Sequence, residues 1–401
     1  MDLIGQIKIF IENLIDIILS EYFIIILFSI ILLYHILCYF IRDKKYVIAL
    51  KKCKDPEDIK LIDLKELPLV NILIPAWKEG KLFENCLLSI TKLNYPHLKV
   101  IVNAGGNDET LRIANSFKKF EYFVILKQKP EGKMKALNDC LEHVNEGIIY
   151  STDADVYFTD EIFLRMIYPL VNQDQYVTAG GVRPLKNQEK KDIVKYLTVN
   201  RYPYFKIKFS RLGRKEISGP NTCFKDDVIK KIGTFYDDQL FPASDRFRAQ
   251  LITSKGFKIY WLSDYRSRIY TYYPNNLKTY FSQEFRWRKN AITNPYLQKK
   301  KTNIVKFLFS FLLSSYLIIS PFLFLLNIYL TLIGLSILFF KYLFKIRKII
   351  NFKVTVDKTY FHKFGILFFI KMLFYLFLDA IIAISLAFNL LSYKNPNYNK
   401  N

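Results

Sequence analysis

Between residues 69 and 158 the chain alternates short apolar runs with stretches whose apolar residues recur at helical spacing. Leu69-Val-Asn-Ile-Leu-Ile-Pro75, Leu98-Lys-Val-Ile-Val-Asn103, Phe123-Val-Ile-Leu126 and Gly147-Ile-Ile-Tyr-Ser151 read as strands. Helices are predicted over 81–92, 109–117 and 133–143. Strands this uniformly apolar, separated by helices, are buried on both faces. The pattern predicts a mostly parallel sheet with helices packed on each side. Ligands of such sheets gather at the carboxyl ends of the strands. That end carries Glu79 after the first strand, Asn103 to Asp108 after the second, and Asp153 with Asp155 after the fourth.

Outside this region the pattern changes to long apolar runs. Residues 22–41 carry no charge, and about 20 apolar residues cross a bilayer as a helix. The run is too long for a cleavable signal, with no basic region before it and no small-residue cleavage site after it. Residues 2–20 form a weaker, acid-containing prelude, expected to lie at an interface. Further spans are expected over 307–326, 328–345 and 364–391, about four in all. Lys371 and Asp379 fall inside the last run, either as functional groups within the membrane or, more plainly, facing a neighbouring helix. Arg42, Lys44, Lys45, Lys51, Lys52 and Lys54 follow the first span, and Lys341, Lys345, Arg347, Lys348, Lys353 and Lys358 precede the last. The positive-inside tendency puts both groups, and the domain between them, in the cytoplasm. The expected organisation is a membrane segment (1–45), a cytoplasmic domain (46–300) closed by an interfacial helix near 276–300, and a membrane domain (301–401).

Charge changes the picture less than its size suggests. The 401 residues include 59 basic and 36 acidic ones, a net charge of +23. The basic residues flank the spans or fall in 183–215, so an anionic leaflet explains them better than nucleic acid; the 183–215 stretch is expected to form a membrane-side flap. The five cysteines, Cys38, Cys53, Cys86, Cys140 and Cys223, are scattered and lack metal spacing, which fits reduced thiols. His35, His97, His143 and His362 are isolated.

The candidate chemistry centres on Asp153-Ala-Asp155. Ala154 sets both carboxylates on one face of an extended backbone. Two acids there suit a hard divalent cation that holds a diphosphate, although an Asp-x-Asp tripeptide alone also fits a solvated turn.

The neighbouring motifs decide between these readings. Pro75-Ala-Trp-Lys-Glu-Gly80, Asn103-Ala-Gly-Gly-Asn-Asp-Glu-Thr110, Gly132-Lys-Met-Lys-Ala-Leu-Asn138, Asp153-Ala-Asp155, Gly219-Pro-Asn-Thr-Cys-Phe224 and Gln283-Glu-Phe-Arg-Trp287 follow one another in order. In this order and spacing they resemble the membrane-embedded branch of family 2 inverting glycosyltransferases, over roughly residues 68–290. The resemblance implies an α/β GT-A fold, Rossmann-like, and a nucleotide-sugar donor, with UDP expected. It implies Mg²⁺ or Mn²⁺ on Asp153 and Asp155, with Asp153 also near the ribose. Pro75, Ala76, Glu79, Asp108 and Lys133 would serve the nucleotide, Asp245 would be the general base, and Gln283, Arg286 and Trp287 would meet the diphosphate and acceptor. By itself Asp245 also fits an ordinary first-turn acid, and Gln283 to Trp287 also fit an interfacial helix with a Trp anchor. Three family acids are missing, at Asn103, Ala104 and Ser244. The expected product is a β-linked sugar on a lipid or lipid-linked glycan. A processive polysaccharide synthase is the alternative, and would call for more spans or a homo-oligomer. A catalytically silent nucleotide-binding scaffold is the remaining one.

Overall fold

A computed structural model of the chain describes residues 7, 10–13, 21–45, 47–48, 58–201, 217–235, 245–297, 301–356 and 364–391. Most of the prelude 2–20, much of the expected flap, Cys53, Asp237, Asp238, Ser244 and His362 lie outside the described residues.

The four expected strands are present as β1 (Val70–Trp77), β2 (Leu98–Gly105), β3 (Phe123–Lys127) and β4 (Ile148–Ser151). Six shorter ones follow: β5 (Val156–Tyr157), β6 (Val177–Ala179), β7 (Val182–Pro184), β8 (Thr222–Lys225), β9 (Ile259–Trp261) and β10 (Ile269–Thr271). Among the described residues, seven strands form the main sheet in the order β3-β2-β1-β4-β8-β6-β9, with β8 alone antiparallel to its neighbours. β1 is central, pairing Val70 with Leu98 on one side and Ile148 on the other. Every residue of β1 except Trp77 is buried, which is why its sequence reads as a continuous apolar run.

Helices α1 (Glu21–Leu37), α2 (Lys81–Ile90), α3 (Asp108–Asn115), α4 (Lys133–Leu141), α5 (Asp160–Asn172) and α6 (Asp192–Arg201) occur in the first half. They are followed by α7 (Asp226–Ile232), α8 (Asp245–Ser254), α9 (Leu277–Leu297), α10 (Lys301–Ile319), α11 (Ile328–Thr355) and α12 (Ile366–Leu391). One face of the sheet packs on α2, α3 and α5 through Phe83, Leu87, Ile113 and Phe163. The other packs on α4, α7 and α8 through Leu137, Val228 and Ile252. α3 starts where it does because Asn107 Oδ1 accepts from the Thr110 amide at 2.9 Å, an N-cap bond. A small second sheet, β5-β10-β7, lies beside the carboxyl end of β4 and pairs Thr271 with Val156.

Among the described residues, three helices are long and apolar enough to cross a membrane: Tyr22–Asp43, Ile328–Lys353 and Ile366–Asn389. The segment expected over 307–326 differs. Its helix ends at Ile319, and the apolar part is the shorter Leu308–Ile319. Pro321 follows, then a 3₁₀ turn at Phe322–Leu325, and Asn327 Oδ1 caps α11 by accepting from the Tyr329 amide at 2.8 Å. Proline without an N–H and a capping Asn end one helix and start the next within a few residues.

These helices dock on the sheet domain through α6 and α9, where Val194, Tyr196 and Tyr280 pack on Phe352, Met372 and Ile382. The charges within 364–391 face that junction, as the plainer expectation had it. Lys371 Nζ reaches Asp192 Oδ2 at 2.8 Å. Asp379 accepts from the Tyr196 hydroxyl at 2.6 Å and the Tyr280 hydroxyl at 2.7 Å, and pairs with Arg288. His35, expected to be isolated, lies 2.8 Å from Arg347 Nη1 through Nδ1. Arg347 Nε in turn meets Asp43 Oδ2 at 2.6 Å, which ties α11 to the end of the first apolar helix.

Candidate active site

β4 ends at Ser151 and delivers Asp153 and Asp155 beyond the sheet, with Ala154 buried between them. Asp155 accepts a 3.3 Å bond from the Thr271 hydroxyl, brought there by the second sheet. Burial, and then the Asp153 charge, push the Asp155 carboxyl up to about 6. Glu79 approaches from the end of β1, and burial followed by the charges of Asp155 and Asp153 push it up to about 7. Three acids thus crowd one place, and the Lys133 ammonium, at the start of α4, pairs with Asp153 Oδ1. Burial opposes the charge on Lys133, yet Asp153 and Asp245 hold its pKa above the ordinary value.

This donor set fits a divalent cation. Two hard carboxylates already attract an ammonium, and their mutual repulsion is what a 2+ ion relieves. Among the described residues no cluster of three or more His, Cys, Asp or Glu groups is arranged to hold a metal. Asp153 and Asp155 would therefore supply two ligands and leave the remaining positions for phosphate oxygens or water.

Asp245 opens α8 near Lys133. Its Oδ1 accepts from Arg248 Nη2 at 3.1 Å, while Arg248 Nη1 donates to Ser151 Oγ at 2.8 Å. The buried Arg248 guanidinium thus ties Asp245 to the strand that carries the acids. Gly219 lies against this carboxylate: a Cβ there would stand 2.5 Å from Asp245 Oδ2. Sequence reasoning found Asp245 but not Arg248, whose i,i+3 spacing from an acid is too common to single out.

Pro75 and Ala76 are buried within β1, in register with Asn103 and Ala104 of β2. Their side chains face the core, so what they offer is the strand end that aims Trp77 to Glu79. The Glu79 amide donates to Thr110 Oγ1 at 2.7 Å, locking this turn to α3. Asp108, exposed, sits in the first turn of α3. Asn103, where the family this chain resembles carries an acid, turns inward: its amide reaches Ala136 O at 3.2 Å and Asp139 Oδ2 at 3.0 Å. Ala104 is fully buried. Both departures therefore serve the core beneath the site, and Lys135 is exposed.

On α9, Gln283 and Trp287 meet one residue that was not anticipated, Arg201. Its Nη2 donates to Gln283 Oε1 at 2.6 Å and Glu284 Oε1 at 3.1 Å. Its guanidinium also lies 4.2 Å from the Trp287 ring centroid and 4.6 Å from that of Tyr273. Arg286 points elsewhere and is exposed. The basic 183–215 stretch was visible in the sequence, but nothing marked Arg201 within it.

Comparison with known proteins bears on the family and the fold. Residues 71–233 match the family model described as Glycosyl transferase family 2. The chain is 24% identical over 246 residues to the probable glycosyltransferase YdaM of Bacillus subtilis, covering 57% of this chain and 56% of that one. It is 25% identical over 178 residues to the poly-beta-1,6-N-acetyl-D-glucosamine synthase of Staphylococcus epidermidis, covering 43% of each. The chain thus spans about half the length of these curated relatives, 56% and 43%. Among solved structures it is similar to mannosyltransferase PcManGT from Pyrobaculum calidifontis, in complex with GDP-Man and Mn²⁺. That likeness has a TM-score of 0.51 at 14% identity and covers 91% of this chain and 99% of that one. Residues 71–233 thus match a glycosyltransferase family 2 domain, and the chain has an α/β fold of the GT-A type.

Proposed function

We infer that the chain is a membrane-embedded inverting glycosyltransferase that moves a sugar from a nucleotide-sugar to a lipid or lipid-linked glycan. One observation carries this: Asp153, Asp155, Lys133 and the Arg248-held Asp245 converge on one mouth of the sheet. Asp153 and Asp155 would hold Mg²⁺ or Mn²⁺, which supplies charge neutralisation at the donor diphosphate. Lys133 adds a further cation beside the same acids. Asp245 takes the proton of the acceptor hydroxyl as its oxygen bonds to the anomeric carbon. The bond from that carbon to the diphosphate breaks on the opposite side, so the configuration inverts and an α-linked donor yields a β-linkage. Glu79 and Asp108 flank the nucleotide end, and Gln283 with Trp287 flank the acceptor end.

The three long apolar helices and their basic flanks support embedding with the catalytic domain in the cytoplasm, where nucleotide-sugars are. The similarity to the staphylococcal synthase favours a second reading, processive addition of N-acetylglucosamine. Membranes containing the full chain, incubated with Mn²⁺, labelled UDP-N-acetylglucosamine or other nucleotide-sugars, and total lipid extract, separate the readings. A single sugar on an organic-soluble lipid supports the first, and a ladder of sugars supports the second. No transfer with any donor sinks both and leaves a nucleotide-binding scaffold. Asp155→Ala should abolish transfer while the protein stays folded and membrane-bound; full activity in that variant, or in excess EDTA, overturns the metal assignment.

A further inference from the structure

We propose that a cavity among the apolar helices, away from the active site, binds the phosphate headgroup of an anionic membrane lipid. The cavity has a volume of about 360 Å³ and lies between the first apolar helix, α9, α10, α11 and α12. Pockets of this size hold small organic ligands. Neither Asp153, Asp155 nor Asp245 lines it, so it goes beyond sugar transfer and rests only on the membrane embedding proposed above.

Its lining pairs cations with hydrocarbon. Arg42, Arg288, Lys341 and Lys345 line it beside one carboxylate, Asp379; outside the lining, Arg42 pairs with Asp43 and Arg288 also with Glu284. The Asp379 carboxylate is already shared by Arg288, Tyr196 and Tyr280. Lys345 Nζ bonds to Asn200 Oδ1, a neutral acceptor. Lys341 makes no hydrogen bond or ion pair among the described residues, although it is only partly exposed. Positive charge held among apolar helices calls for a counter-anion, because an uncompensated charge in low dielectric is costly. Phe340, Phe344, Leu376, Ala380 and Ala383 form much of the remaining wall. A free inorganic anion would gain nothing from that surface, whereas a lipid uses both parts. Its phosphate meets Lys341 and the cationic wall around it, and its chains continue along exposed apolar positions of the same helices, such as Leu312 and Ile381. Lys and Arg near the ends of apolar helices meet lipid phosphates in this way.

The test uses the full chain in a neutral-headgroup detergent, without donor or metal, so that it does not depend on catalysis. Binding of fluorescent phosphatidylglycerol and phosphatidylcholine is titrated, with and without inorganic phosphate. Phosphatidylglycerol should bind saturably and at least about fivefold more tightly than phosphatidylcholine, the factor expected of one cation acting on a lipid charge. Lys341→Gln should weaken phosphatidylglycerol by about the same factor, and Lys341→Arg should restore it. Equal binding of both lipids, or no change in Lys341→Gln with an unaltered unfolding midpoint, overturns the site. Displacement of the lipid by millimolar inorganic phosphate overturns the lipid as its occupant. Release of the protein from membranes by carbonate would instead refute the embedding, a result distinct from any of these.

Discussion

Asp245 and Asp155 are carboxylates near the same end of the sheet, and their surroundings suit them to different tasks. Asp245 is partly open to solvent, with 38% of its side chain exposed, and is held by one guanidinium. A base needs both properties, since it must reach an acceptor and keep its aim. Asp245→Asn should therefore leave donor and metal binding intact and cut turnover by about 10² to 10⁴. Asn starts a helix about as well as Asp, so if Asp245 served only the first turn of α8, turnover would hardly change. Gly219→Ala probes the same carboxylate from outside. The added methyl would press on Asp245 Oδ2 and Oδ1, at 2.5 Å and 2.8 Å, and the side chain must turn away. Turnover should fall with little change in the unfolding midpoint, because only the tip of a side chain moves. Asp155 and Glu79 carry the pH dependence. Their folded pKa values, about 6 and about 7, lie above the ordinary carboxyl values. The fold thus favours their protonated forms, and this contribution to stability is complete in acid and lost as pH rises through 6 and 7. The metal-free protein should show a thermal midpoint that falls from the ordinary carboxyl range, near 4, up to about pH 7, Mn²⁺ should restore it above pH 7, and Asp155→Asn should flatten the slope. A midpoint that rises steadily from pH 5 to 8 in all three cases would count against the crowded acids.

At the scale of elements, α9 is tied to α6 through Arg201. Arg201 bonds to two side chains of α9 and stacks on the ring of a third, a geometry that needs a planar fork. Arg201→Lys keeps the charge and loses that fork. Turnover should drop by about tenfold or more, while donor binding at Asp153 and Asp155 is unaffected; equal loss of donor affinity would show that α9 serves the nucleotide instead. The same scale separates what was legible in the sequence from what was not. β1 to β4 and α2 to α4 came within two residues of expectation at most of their ends, because each is a run long enough for its period to show. The second sheet was invisible: its strands have two or three residues, too few for any alternation, and they exist through pairing. Thr271 beside Asp155 was lost with it. Arg248 and Arg201 were hidden for a different reason. An arginine drawn out of solvent has no local signature, and the partners of these two lie 97 and 82 positions away in Ser151 and Gln283. The inward turn of Asn103 was equally unreadable, since only packing on α4 shows that an amide, not a nucleotide-facing acid, suits that position.

At the scale of the molecule, the apolar helices and the sheet domain constrain each other's orientation. Asp43, at the end of the first apolar helix, meets Asn351 near the end of α11 at 2.9 Å, and the Phe28 and Phe339 rings pack tilted at 41° with centroids 5.2 Å apart. These two helices therefore run side by side in the same direction. α12 follows α11 in sequence and returns beside it, with Phe368 and Met372 packed near Ile349 and Phe352. The basic ends of the first apolar helix and of α11 thus fall on the side where α6 and α9 dock, together with the glycosyltransferase domain. Membrane insertion that keeps basic ends in the cytoplasm puts that domain there too. Single cysteines in a cysteine-free background test this in intact cells with an impermeant maleimide. Sites at Lys190 and Lys348 should resist labelling, and sites at Asp2 and Tyr398 should accept it. Both inner sites belong to one packed unit, Lys348 bonding to Asn200 O at 3.2 Å, so they must give the same answer. Protection at one and labelling at the other would break the packing of α11 on α6. Labelling at both would put the domain outside, away from nucleotide-sugars, and the enzymatic reading would fail with the topology.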